Sequence, residues 1–223
     1  FQEMTQTPVE LITNGFDESD FISNAGNAAA GSSERDFTIT HTGLFAADGN
    51  PTALWKTLSE ICNEDSLFKV RLRIRLVGKT DTQIISAIKE AGLEENLIDM
   101  GYQPHNTAVE QQREASVLIL PLRKEPEYKA VLPGKLFEYM ASTRPILGIG
   151  QPDGAMAMIL NDTKTGVTVD WEDKESLKKF ILDCWNRHMK GELRNEGADI
   201  SRFTRRNLTR RMAQLFDKIT ENE

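Results

Sequence analysis

The sequence predicts an α/β fold, a doubly wound parallel sheet with a helix appended at its C-terminal end. Three observations carry this. Short β-branched or apolar runs alternate with helical patterns from Phe37 to about Trp185, which is the order of successive βαβ units. Runs end on glycine at Gly43, Gly78 and Gly101, and parallel strands bring such turns together at one edge of the sheet. A last amphipathic stretch follows residue 200, outside the alternation. The boundaries are residues 1–36 for a linker and flexible loop, 37–200 for the α/β domain and 201–223 for the terminal helix.

Each element has its own warrant. ELITNGFDESDF, residues 10–21, is a short apolar run stopped by the turn pair Asn14 and Gly15. Residues 23–34 are small and polar without periodicity, a flexible excursion. FTITHTG, 37–43, is β-branched, and its glycine opens a loop that ends at a helix started by Pro51, with Leu54, Leu58 and Ile61 on one face. VRLRIRLVG, 70–78, alternates, so Val70, Leu72, Ile74 and Leu76 face the core. Arg71, Arg73 and Arg75 then form either a basic strip or the salt-bridged outer face of a strand near the sheet edge; the second reading needs no partner. A helix over 82–91 buries Ile84, Ile85 and Ile88, and LIDMGYQPH supplies a strand ending at Gly101. TAVEQQREAS reads as a helix, VLILPL, 117–122, as a fully buried strand, and RKEPEYKAVLPG as a loop long enough to be functional. After residue 150 come a helix with Met156 and Met158 as core filling, the strand TGVTVDW, and a helix with Leu177, Phe180, Ile181, Cys184 and Trp185 inward. The last helix aligns Leu208, Met212, Leu215, Phe216 and Ile219, with five arginines between 202 and 211 on a solvated or acid-paired face.

Composition excludes several functions. With 39% hydrophobic residues in 223, the chain can bury one large core or two small ones, and no run of eighteen apolar residues exists. A net charge of -7 opposes general nucleic-acid binding, so any phosphate site must be local. Cys62 and Cys184 lie far apart within helices and read as free thiols in a reducing, cytoplasmic setting. His41, His105 and His188 show no metal-ligand spacing, so no metal is expected.

The densest chemistry lies in LPGKLFEYMASTRPILGIG, residues 132–150. Pro133 and Gly134 open an amphipathic helix whose Leu136, Phe137, Met140 and Ala141 share the packing face. The free N–H groups of its first turn, the helix dipole and Lys135 suit a phosphate, with Glu138 one turn further in. A sugar attached to that phosphate would meet the carboxylate. An ordinary solvated helix start with a surface Lys and Glu fits the same pattern. Gly43, Leu44, Gly78, Lys79, Tyr102, Gln103, Arg123 and Lys124 fall at the same sheet edge and complete the candidate site.

This stretch, with VLILPL before it and PILGIG within it, resembles the donor-binding helix of retaining GT-B glycosyltransferases, a large family that includes many bacterial glycan and lipopolysaccharide enzymes. The resemblance implies a Rossmann-like, nucleotide-sugar-binding domain over residues 37–200, in which Glu138 holds the ribose of a nucleoside-diphosphate sugar. It implies a diphosphate-covering loop at Gly43 and Leu44, and a base-contacting turn at Tyr102 and Gln103. It further implies transfer, with retention, to a glycan or lipid-linked acceptor without a bound cofactor. Two positions depart from the family: Ala130 stands where a second glutamate is common, and Gly49 and Asn50 where a cation is usual, so Arg123 and Lys124 become the substitutes. Asn14 to Asp17 resemble the segment that joins the two domains of such enzymes. By that resemblance an N-terminal acceptor domain belongs before residue 1, the chain is inactive alone, and peripheral association with the inner membrane face is compatible with the full-length protein. A nucleotide-sugar epimerase of the same fold and a non-catalytic nucleotide-binding module are the alternatives.

Overall fold

A computed structural model describes residues 8–22, 36–194 and 199–220. Among these residues six strands alternate with helices: β1 (Phe37–Thr42), β2 (Leu72–Val77), β3 (Leu97–Asp99), β4 (Val117–Pro121), β5 (Ile146–Ile149) and β6 (Gly166–Val169). They pair in parallel in the order β3-β2-β1-β4-β5-β6. The chain therefore winds one way from β1 to β3 and the other way from β4 to β6, and a crevice opens between β1 and β4 at their C-terminal ends. The helices are α1 (Ser19–Ile22), α2 (Thr52–Glu64), α3 (Ser66–Arg71), α4 (Thr82–Glu90), α5 (His105–Glu114), α6 (Gly134–Ala141), α7 (Ala155–Thr163), α8 (Lys174–Met189) and α9 (Arg205–Thr220).

The strands are apolar because both sheet faces are covered. Ile39, Ile74, Leu76, Leu118, Ile119, Ile146 and Leu147 are wholly buried, each stabilising by roughly 1.5 to 3 kcal/mol relative to exposure. From the helices Leu54, Leu58, Ile84, Ile88, Leu136, Phe137, Leu177 and Ile181 close onto them. Cys62 and Cys184 are buried free thiols, which burial raises to about 11 and about 12.

Several expectations are corrected. Val70 and Arg71 belong to α3, not to a strand: Asp65 caps that helix by accepting the N–H groups of Leu67 and Phe68, and Val70 is exposed. β2 lies inside the sheet, and its arginines end in ion pairs, Arg73 with Asp36 and Arg75 with Glu114. Met158 is exposed although Met156 is buried, since residues two apart on a helix point about 200° apart. Ile85 and Phe180 are half-buried at the margins of their faces. On α9 only Leu208 is buried, while Met212, Phe216 and Ile219 are exposed. Two of its four arginines pair with acids, Arg205 with Asp17 and Arg211 with Glu10, while Arg206 and Arg210 lie exposed and Arg210 donates to Asn207 Oδ1.

The Asn14–Gly15 pair works by close approach. Phe16 donates its N–H to Phe203 O at 3.1 Å and accepts from Arg205 N–H at 2.9 Å. A Cβ on Gly15 would stand 2.2 Å from Phe203 O, so glycine is what lets the segment lie against the start of α9. The expected flexible excursion at 23–34 lies outside the described residues.

Candidate functional site

Pairing between β1 and β4 covers only Ile39 with Val117 and Thr40 with Leu118, whereas β1 and β2 stay paired to Thr42 and Val77. The last N–H of β1 on the β4 side thus needs another acceptor. It finds the hydroxyl oxygen of Tyr139, which accepts from Thr42 N–H at 2.9 Å. Tyr139 is wholly buried, and burial raises its hydroxyl to about 12, so it stays neutral. Through this contact α6 is fixed at the mouth of the crevice.

Three glycine turns are joined there. Gly43, with φ 88°, donates to Val77 O at 2.7 Å, and Gly78, with φ 128°, donates to Gly101 O at 2.7 Å. Phe45 N–H reaches Lys79 O at 2.9 Å, and Asp81 N–H reaches Phe45 O at 2.9 Å. The turns after β1, β2 and β3 therefore form one connected rim.

Helix α6 begins at this rim. No side chain caps it, and nothing lies within 4 Å of where a Cβ on Gly134 would stand, so its N-terminal turn is open. Leu136 N–H donates back to Pro133 O at 3.0 Å. Lys135 folds inward: its Nζ donates to Thr42 O at 2.8 Å and to Leu44 O at 3.4 Å, and lies 3.4 Å from His41 Nε2. Burial lowers its pKa to about 8, with Glu138 acting in the opposite direction. His41 is buried and stacked on Phe45 at 4.1 Å; burial, then Lys135, pushes it well below its ordinary value, so it is a neutral imidazole.

The depressed Lys135 value has a stability consequence. Between about pH 8 and its unfolded value of 10.5 the unfolded chain binds more protons at this lysine than the folded chain does, so folded stability rises with pH across that window. The cost of the buried charge is fully present below pH 8. Urea unfolding of wild type and Lys135→Met is expected to show wild type gaining on the variant by roughly 3 kcal/mol between those limits. A constant gap would mean that the ammonium is not buried.

Glu138 sits one turn into α6, half-buried, and its Oε2 accepts from Gln112 Nε2 at 3.2 Å. The same Nε2 donates to Thr42 Oγ1 at 3.2 Å. Neither Tyr139 nor Gln112 was expected here. In LFEYM the helical phase places Tyr139 beside the packing face, which is a usable signal, but Gln112 in the polar run VEQQRE carries none.

The other candidates divide. Gly43, Leu44, Gly78, Lys79, Pro133, Gly134, Lys135 and Glu138 gather at the rim, with Leu44 and Lys79 exposed. Tyr102 is 87% exposed on the turn after β3, and Gln103 braces that turn by donating to Met100 O at 2.7 Å. Arg123 pairs through Nε with Asp48 at 2.8 Å and lies 5.4 Å over the Tyr128 ring, tying the loop after β1 to the loop after β4. Lys124 pairs with Glu172 at 2.5 Å beyond β6, drawn toward the far end of the sheet. Leu136 is wholly buried and contributes packing. The assembled rim offers an uncapped helix start and an ammonium for a dianion, and a carboxylate one turn away for hydroxyl groups. Among the described residues no three His, Cys, Asp or Glu cluster as a metal site, and no helix is long and apolar enough to cross a membrane.

The family model described as glycosyl transferases group 1 matches residues 36–187. No curated protein matches the chain. Among solved structures, sucrose-phosphate synthase from Thermosynechococcus elongatus is similar with a TM-score of 0.73 at 17% identity, covering 96% of this chain and 53% of that one. HepE of Anabaena in complex with UDP-glucose gives 0.68 at 16%, covering 94% and 57%. WaaG, a glycosyltransferase involved in lipopolysaccharide biosynthesis, gives 0.64 at 13%, covering 86% and 52%. The chain thus spans about half the length of these structures.

Proposed function

Since this chain belongs to the group 1 glycosyl transferases, we propose that it forms the donor-binding half of an enzyme moving a sugar, with retention, from a nucleoside diphosphate to a glycan or lipid-linked acceptor. The observation that carries the reading is Lys135 and Glu138 on one open helix start at the crevice between β1 and β4. The diphosphate lies on the first turn of α6, where the dipole and Lys135 stabilise charge as it develops on the leaving group. The ribose hydroxyls meet Glu138, and the base extends toward Tyr102 and Gln103. A UDP-glucose complex among the similar structures supports a nucleotide sugar as the donor class.

Residues 37–200 constitute the donor domain, and α9 (Arg205–Thr220) is the terminal helix of the segment from residue 201. The acceptor is held by a facing half, in keeping with a chain that covers 53% of its structural relative. Transfer depends on that half, because orienting two reactants supplies up to ~7 to 11 kcal/mol of the barrier.

Calorimetric titration with UDP-, GDP- and ADP-sugars is the test. At least one is expected to bind at about micromolar affinity and to be displaced by its own nucleoside diphosphate. Binding that the diphosphate fails to displace would put the sugar, not the nucleotide, in the site and contradict this reading.

A further inference from the structure

The carboxylate proposed to hold the ribose is itself held. Gln112 is 1% exposed, and its single Nε2 serves two acceptors at 3.2 Å, Glu138 Oε2 and Thr42 Oγ1. Its Oε1 is buried with no hydrogen-bond partner. A buried amide that leaves its carbonyl unpaired is an expensive way to fill a core position, because an unpaired buried acceptor costs about 1 to 3 kcal/mol. An apolar side chain would pack there without that cost. What the amide supplies is an N–H aimed at one carboxylate oxygen. That bond fixes the rotamer of Glu138, a half-buried acid with three side-chain torsions, and leaves Oε1 for other donors.

We propose that Gln112 is a positioning residue which, by binding Glu138 Oε2 from inside the fold, presents Glu138 Oε1 to the ribose hydroxyls and so sets preference for nucleotides carrying both of them. The inference rests on the reading of Glu138 given above. Gln112 anchors this arrangement to β1, because the same nitrogen is bonded to Thr42, whose carbonyl also receives Lys135. One strand end thereby registers the phosphate cation and the ribose carboxylate against each other.

Calorimetry of the full chain with UDP, GDP and ADP and with their 2′,3′-dideoxy counterparts tests it in wild type, Gln112→Leu and Gln112→Glu. Wild type is expected to favour the ribonucleotide by about tenfold or more. Gln112→Leu should lose most of that preference, bind the dideoxy compound as wild type does, and keep its thermal midpoint. Gln112→Glu places a second carboxylate beside Glu138; its preference should be lost at about pH 8 and return toward about pH 5.5, where one shared proton restores the hydrogen bond. Phosphate titration cancels in the ribo-to-dideoxy ratio. If wild type discriminates and both variants discriminate equally well at every pH, Gln112 does not position Glu138 and the inference is overturned. A lowered midpoint of Gln112→Leu with full preference retained overturns it too, showing a packing role. If wild type shows no preference, or binds none of the nucleotides, the reading of Glu138 fails first and the inference falls with it.

Discussion

Replacing Glu138 with alanine is expected to weaken nucleoside-diphosphate binding at least about tenfold while leaving the fold intact. A carboxylate accepting ribose hydroxyls contributes roughly 1.5 to 3 kcal/mol per charge-assisted hydrogen bond, and about 1.4 kcal/mol is one factor of ten in affinity. The fold should survive because Glu138 is only half-buried and its hydrogen-bonded partner Gln112 keeps Thr42 Oγ1. The docking of α6 rests on Tyr139 and on Leu136, Phe137 and Met140, none of which the substitution alters. Titration calorimetry reads the affinity and thermal unfolding reads the fold. Unchanged affinity in a folded variant removes Glu138 from the site. Lys135→Ala provides the contrast, weakening diphosphates but sparing nucleosides, since its proposed partner is phosphate.

Gly78→Ala should be among the most destabilising single substitutions available in this domain. A Cβ at Gly78 would stand 2.4 Å from Gly43 O, 2.8 Å from Gly43 C and 2.9 Å from Gly43 Cα, all backbone atoms that cannot swing aside. Its φ of 128° also lies where side-chain-bearing residues are strained. Relief requires moving the Gly43 turn away, at the expense of Gly43 N–H to Val77 O and Gly78 N–H to Gly101 O. Strain of about 1 to 3 kcal/mol and an overpacking cost of similar size sum to roughly 2 to 6 kcal/mol, a large part of a typical domain's stability. A loss of about 10 °C or more in the unfolding midpoint is expected. Gly92→Ala is the control, because its φ of 77° imposes strain but nothing lies within 4 Å of the new Cβ. Equal losses at both positions would show that strain alone matters and that the contact between the two rim turns does not.

The sequence makes some of this architecture legible and hides the rest for physical reasons. The α/β alternation is readable because strands covered on both faces must be apolar and the helices between them one-sided. The rim glycines are readable because a chain leaving a strand with positive φ has few other residues to use. The start of α6 shows itself in Pro133–Gly134–Lys135, where turn chemistry and charge coincide. Gln112 is not readable, because a glutamine in a polar helix looks the same whether it meets solvent or a buried strand end. Pairing is equally hidden: Arg123 and Lys124 follow one another, yet one goes to Asp48 near β1 and the other to Glu172 beyond β6. Val70 continues an alternating pattern, but the cap at Asp65 extends helix through it. The stripe on α9 promises burial that the described residues do not provide.

Thermal unfolding of the chain with nucleoside diphosphates, AMP and NADH, each at matched concentration, tests the central claim most directly. A ligand at about a hundred times its dissociation constant adds about 2.7 kcal/mol, enough to displace the midpoint visibly. One or more of UDP, GDP and ADP is expected to raise the midpoint above the shift given by AMP or NADH, and Glu138→Ala to abolish that excess. A shift by NADH equal to that of every diphosphate, or no shift by any of them, would contradict a nucleoside-diphosphate site at the start of α6.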